Sequence, residues 1–97
     1  MNEDLRREKV ENYLSRTKKA LSMVKITAPE RSHARRVAED FFQMAQNYTK
    51  DAEHFLSQGN LVNAFACVNY AHGWIDAGAR LGLFDVDTND KLFTLAW

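Results

Sequence analysis

Gly59-Asn60-Leu61-Val62-Asn63-Ala64-Phe65-Ala66-Cys67-Val68-Asn69-Tyr70-Ala71-His72-Gly73-Trp74-Ile75 holds a chain reversal, a helix start and a helix without a charge. Gly59 is the residue best able to take the left-handed conformation that ends a helix, and Asn60 is a natural N-cap for the next one. From there Leu61, Ala64, Phe65, Val68, Ala71, His72, Ile75 and Ala79 recur at the three-and-four spacing of one helix face, which runs on to Gly82. No Lys, Arg, Asp or Glu lies between Glu53 and Asp76. A solvated helix does not have that composition. Cys67, Tyr70, Trp74, Ala77 and Leu81 supply a second apolar stripe on roughly the opposite side, and two stripes require two partners.

Upstream of Gly59, the residues Ala34, Val37, Ala38, Phe41, Met44, Ala45, Tyr48, Ala52 and Phe55 form the apolar face of another helix, spanning about 28–58. Thr27-Ala28-Pro29-Glu30 reads as its start: Thr27 accepts from the first free N–H groups, Pro29 sits in the first turn, and Glu30 reaches back. Before it, Val10, Tyr13, Leu14, Thr17, Ala20, Leu21 and Val24 mark a first helix over about 3–25. No strand pattern appears before residue 82. Connections of a few residues force consecutive helices to run antiparallel. The expectation is therefore an all-α, up-down-up three-helix bundle filling residues 1–97 as one domain, with helix three at about 61–82 and a C-terminal tail, 83–97, packing back. The second stripe then meets either that tail, through Leu83, Phe84, Val86, Leu92, Phe93, Leu95 and Trp97, or another protein chain. Gly73 and Gly78 each cost about 1 kcal/mol relative to Ala inside a helix, so each predicts a close neighbour.

The chain has 97 residues, 45% hydrophobic and 11% aromatic, enough apolar material for a core and too much for a disordered segment. The single cysteine, Cys67, excludes an internal disulfide and a multi-cysteine metal site, and it suits a reducing, cytoplasmic setting. The N-terminus enters charged sequence at once, with no apolar leader, and no stretch approaches a membrane span. Net charge is zero, yet it is unevenly placed: ten basic and five acidic residues precede position 37, and three basic and eight acidic residues follow. Lys18, Lys19, Lys25, Arg31, Arg35 and Arg36 gather at the pole where helix two begins, a place that suits a phosphate or carboxylate. Against this, helix three ends at the same pole and returns Asp85, Asp87 and Asp90 to neutralise it. No aromatic is interleaved with the basic residues and the acidic half repels a polyanion, which argues against nucleic acid.

Counted back from Gly59, Tyr48 and Asp51 of helix two lie level with Asn69 and His72 of helix three. With Asp76 and Arg80 they form a polar cluster, read either as a small pocket or as an interhelical hydrogen-bond network. His72 with Asp76, or Asp51 with His54, has metal-ligand spacing, but the two pairs point apart and the Glu-x-x-His constellation of di-iron bundles is missing. No metal and no cofactor is expected. Cys67 has no basic neighbour one helical turn away and reads as packing rather than as a nucleophile. Phosphate-loop and dinucleotide fingerprints are absent.

Tyr48-Thr-Lys-Asp51-Ala-Glu-His-Phe55, Gly59, Ala64-Phe65-Ala66 and Tyr70-Ala71-His72-Gly73-Trp74-Ile75-Asp76-Ala77-Gly78-Ala79-Arg80-Leu81-Gly82, with Tyr13-Leu14 in helix one, resemble the archaeal domain of unknown function family 357. The resemblance covers most of the chain and implies a small cytosolic three-helix bundle with no established activity. It carries over Asp51, Tyr70, Gly73, Asp76, Ala77 and Arg80 as motif residues, while His72 departs from the acidic residue more common there. Longer relatives that place this domain beside a nucleotidyltransferase-like domain imply an accessory role and a nucleotidyltransferase-related partner. The sequence thus predicts a non-enzymatic module that self-associates or docks a protein through Cys67, Tyr70, Trp74 and Leu81. The alternatives are a module binding a phosphorylated or nucleotide-like anion through Arg31, Arg35 and Arg36, and an enzyme using Asp51, His72 and Asp76.

Overall fold

Small side chains set how closely helices approach, and here they line one seam. In the computed structural model, which describes residues 5–85, the helices are α1 (Arg7–Met23), α2 (His33–Ser57) and α3 (Leu61–Arg80). Ala52 and Ala64, Ala45 and Ala71, and Ala38 and Gly78 stand six, thirteen and twenty residues on either side of Gln58, and all six are buried. Their seven-residue repeat keeps a small residue at the contact on every second turn, so α2 and α3 form the principal helix pair. α1 packs across both. The result is the expected up-down-up three-helix bundle.

Two Schellman motifs end the paired helices. Gly59 and Gly82 both take φ +76°. After α2, Asn60 N–H reaches Phe55 O at 2.9 Å and Gly59 N–H reaches Leu56 O at 3.0 Å. After α3, Leu83 N–H reaches Gly78 O at 2.9 Å and Gly82 N–H reaches Ala79 O at 3.1 Å. These bonds satisfy carbonyls that the helix ends would otherwise leave open. Asn60 then caps α3 by accepting from Asn63 N–H at 3.2 Å. Arg7 ties the start of α1 to the same corner by donating to Leu56 O at 3.1 Å.

The pole at the other end departs from the sequence expectation. Helix two begins at His33, not near residue 28, because Ser32 is the N-cap, accepting from Arg35 N–H at 3.0 Å. Arg31, at φ +67°, cannot be part of a helix turn, and Ala28 precedes a proline and is steered away from helical geometry. Helix one likewise begins only at Arg7, with Leu5 and Arg6 outside it, and stops at Met23, two residues short, because after Val24 the chain enters a strand. That strand, β1 (Lys25–Ile26), pairs antiparallel with β2 (Phe84–Asp85), Lys25 opposite Asp85 and Ile26 opposite Phe84. It corrects the expectation of no strand before residue 82: a two-residue strand leaves no periodicity to read, and its partner is remote in sequence. The tail does fold back as far as residue 85, and Phe84 is buried. The expected contacts of 86–97 and the expected helix at 3–4 lie outside the described residues.

The core has two apolar clusters. One joins Val10 and Leu14, Ala52 and Leu56, and Ala64, Cys67 and Val68 near the Gly59 turn. The other joins Ala20, Ala45 and Ile75, with Trp74 and Leu21 against it, near the β bridge. Between them each helix contributes one buried polar residue: Thr17, Thr49 and His72, the buried polar residues among those described. Thr49 Oγ donates back to Ala45 O at 2.7 Å. Thr17 Oγ is buried with no hydrogen-bond partner.

Two substitutions test this packing. An alanine Cβ at Gly78 would overlap the ring of the buried Phe84, which meets Phe42 edge-on at 6.4 Å. Overpacking should outweigh the helix-propensity gain, so Gly78→Ala lowers stability by about 1–2 kcal/mol in chemical denaturation; a raised midpoint would show that the ring does not sit there. Thr17→Val removes an unsatisfied buried hydroxyl, so stability rises by about 1 kcal/mol, whereas a loss would show that the hydroxyl has found a partner.

Candidate functional site

The charge-free run of α3 from Leu61 to Ile75 leaves two questions, which side chains α2 covers and which remain on the surface. α2 covers more of the second stripe than the sequence predicts. Cys67 is buried in the cluster near the Gly59 turn. Trp74 is half-buried, its ring edge-on to Phe41 of α2 at 4.9 Å. The expectation that tail or partner must cover these two is corrected: the close seam brings the aromatics of α2 alongside them. Tyr70 leans on Tyr48 at 5.3 Å between ring centroids yet stays 60% exposed. Leu81 is 66% exposed. Val62, which the sequence reading passed over, is 71% exposed. Among the described residues these are the large hydrophobic side chains left in solvent, Val62 and Tyr70 on α3 and Leu81 as its C-cap.

Ala66, Asn69 and Gly73 are exposed between them, and Ala77 is partly so. The sequence predicted a close neighbour at Gly73, but a Cβ there would meet nothing within 4 Å of the described chain. That expectation holds at Gly78 alone. The missed signal was available: Val62 and Ala66 extend, at the same three-and-four spacing, the part of the second stripe formed by Tyr70, Ala77 and Leu81, and Gly73 falls in that row.

The polar cluster does not assemble as a pocket. Asp51 and Asn69 are exposed rather than turned into the bundle, because the buried row of α2 centres on Ala45, Ala52 and Leu56. His72 lies inside, in the polar layer with Thr17 and Thr49. Asp76 is held by its own helix, Arg80 Nε donating to Oδ2 at 3.0 Å. Burial pushes the Cys67 thiol above its ordinary range, and the nearby Asp51 carboxylate pushes it further in the same direction. A thiol kept protonated in this way is a poor nucleophile. Among the described residues no group of three or more His, Cys, Asp or Glu side chains is placed to hold a metal.

At the basic pole, Arg35 is engaged in the fold. Its guanidinium donates to Ala28 O at 3.1 Å, Ile26 O at 3.4 Å and Glu39 Oε2 at 3.2 Å, fastening the β1 loop to α2. Arg31 and Arg36 are exposed. Three arginines converging on one anion are therefore not what the geometry presents. Elsewhere, a shallow groove of about 330 Å³ runs between α1 and α2 over Leu21 and Phe42, bridged by Lys18 Nζ donating to Glu53 Oε2 at 2.6 Å. Such an exposed ion pair contributes at most about 1 kcal/mol. Lys9 lies over the Tyr13 and Phe65 rings at 5.8 and 5.6 Å, covering the junction of α1 and α3. No helix among the described residues is long and apolar enough to cross a membrane.

Comparison with curated proteins and with solved structures gives no match. Residues 12–84, from the middle of α1 to the buried ring of Phe84, match the family model described as Protein of unknown function (DUF357). That span takes in α2, α3 and both Schellman glycines, so the chain belongs to the DUF357 family.

Proposed function

We propose that this protein is a non-enzymatic interaction or accessory module of the cytoplasm, and that it docks a protein partner through the outer face of α3. The observation that carries the reading is the concentration of Val62, Tyr70 and Leu81 on one helix and its C-cap, at 71%, 60% and 66% exposure, with no charged residue from Leu61 to Ile75. A bundle surface that served only to face water would be charged on such a helix. Tyr70 supplies an amphipathic aromatic anchor of the type that dominates interface energetics. Of the stripe residues read from the sequence, Tyr70 and Leu81 carry the contact, while Cys67 and Trp74 support it from beneath through α2. A nucleotidyltransferase-related protein, which the resemblance implies, is one candidate partner.

The non-enzymatic part of the proposal is supported by dispersal. Asp51, His72 and Asp76 lie on the surface, in the core and in an ion pair, respectively. The anion-binding alternative loses its central residue, since Arg35 is spent on backbone carbonyls and Glu39.

A photo-crosslinking amino acid at position 70, with the same probe at the exposed Ser15 of α1 as control, tests the proposal in cells. Protein adducts at 70 and few at 15 are expected. Equal labelling at both positions, or none at 70, would contradict it.

A further inference from the structure

We infer that the outer face of α3 binds a second copy of the same face, antiparallel, about a two-fold axis between Ala71 and His72. This deepens the docking reading above and rests on it. The exposed or part-exposed row is Val62, Ala66, Tyr70, Gly73, Ala77 and Leu81. Its spacings are four, four, three, four and four, the same in both directions. Turned end for end, Val62 meets Leu81 of the other copy, Ala66 meets Ala77, and Tyr70 meets Gly73. A two-fold interface requires this kind of reciprocity, in which residue i contacts j and j contacts i. A foreign partner would give no reason for it.

The chemistry of each pair agrees. Large apolar residues close the two ends, where they are 71% and 66% exposed in the single chain. Alanine faces alanine, which lets the backbones approach. The Tyr70 ring lies over the bare backbone of Gly73, explaining a mid-helix glycine that no packing within the described chain requires. Charge selects the direction. The antiparallel pairing sets Asp76 level with Cys67 and Arg80 level with Asn63, whereas a parallel pairing would set Asp76 on Asp76 and Arg80 on Arg80. The row spans about 30 Å of helix, so the buried area falls at the small end for specific interfaces and the affinity is expected to be on the order of micromolar.

Sedimentation of the full chain from about 5 μM to about 1 mM brackets that affinity. A concentration-dependent dimer is expected for the wild type. Gly73→Gln, which places a helix-favouring side chain in open space on the single chain, should be monomeric throughout while keeping full helicity and an equal or higher Tm. In a Cys67→Ser background, the pair Ala66→Cys and Ala77→Cys should oxidise to a covalent dimer, and Ala66→Cys alone should not. A wild-type chain that stays monomeric across the range overturns the inference, as does a dimer that Gly73→Gln leaves intact. Monomeric protein whose position-70 probe labels a different protein defeats the self-pairing and leaves the docking proposal standing. A monomer whose probe labels residues 86–97 of its own chain, or nothing, defeats both.

Discussion

The close seam between α2 and α3 is the constraint on which the rest of this structure depends. Alanine at 38, 45, 52, 64 and 71, with glycine at 78, brings two helices together with little side-chain volume between them. Larger residues must then go to the flanks. On one flank Phe41 and Tyr48 meet Trp74 and Tyr70. On the other, Val10, Leu14 and Ala20 of α1 close the core. The seam also explains the glycine at 78, which makes room for the Phe84 ring and so lets the chain return to pair with Lys25–Ile26.

Much of this was legible in the sequence. Breakers are scarce, and Gly59 and Gly82 fall where the apolar period changes, so both helix ends and the reversal at Asn60 follow from local chemistry. The start of α2 was not legible. Thr27-Ala28-Pro29-Glu30 has the composition of a helix start, but Ser32 has an equal claim, and the choice is made by β2 and by Arg35, which holds the carbonyls of residues 26 and 28. Those partners are tertiary, and no window of sequence around residue 28 contains them.

The site was legible in part for a related reason. Helical periodicity finds Tyr70 and Leu81 as apolar residues off the core face, but it cannot say that the aromatics of α2 reach round to cover Cys67 and Trp74. It also places Asp51 level with Asn69 without showing that both lie outside the seam. A buried network involving Asp51 and Asn69 would have had to displace alanines, and the close approach of α2 and α3 leaves no room for it. Polar residues instead enter the core one per helix, as Thr17, Thr49 and His72, in a layer between two apolar clusters. A polar layer of that kind favours one alignment of the helices over a slipped one, since slippage would set a hydroxyl or imidazole against apolar side chains.

With the inner side of α3 saturated by α1 and α2, its outer side carries the exposed large hydrophobic residues, with no charge before Asp76 and no cover among the described residues. The central claim is that this surface, and not the basic pole or the α1–α2 groove, is where the protein meets a second copy of itself. The direct measurement is a series of amide ¹H–¹⁵N spectra of the wild-type chain at increasing protein concentration. The account predicts progressive shifts confined to α3, centred on Ala66, Tyr70, Gly73 and Ala77. Shifts confined to Arg31, Arg36 or the groove lined by Lys18 and Phe42, or spectra that do not change with concentration, would contradict it.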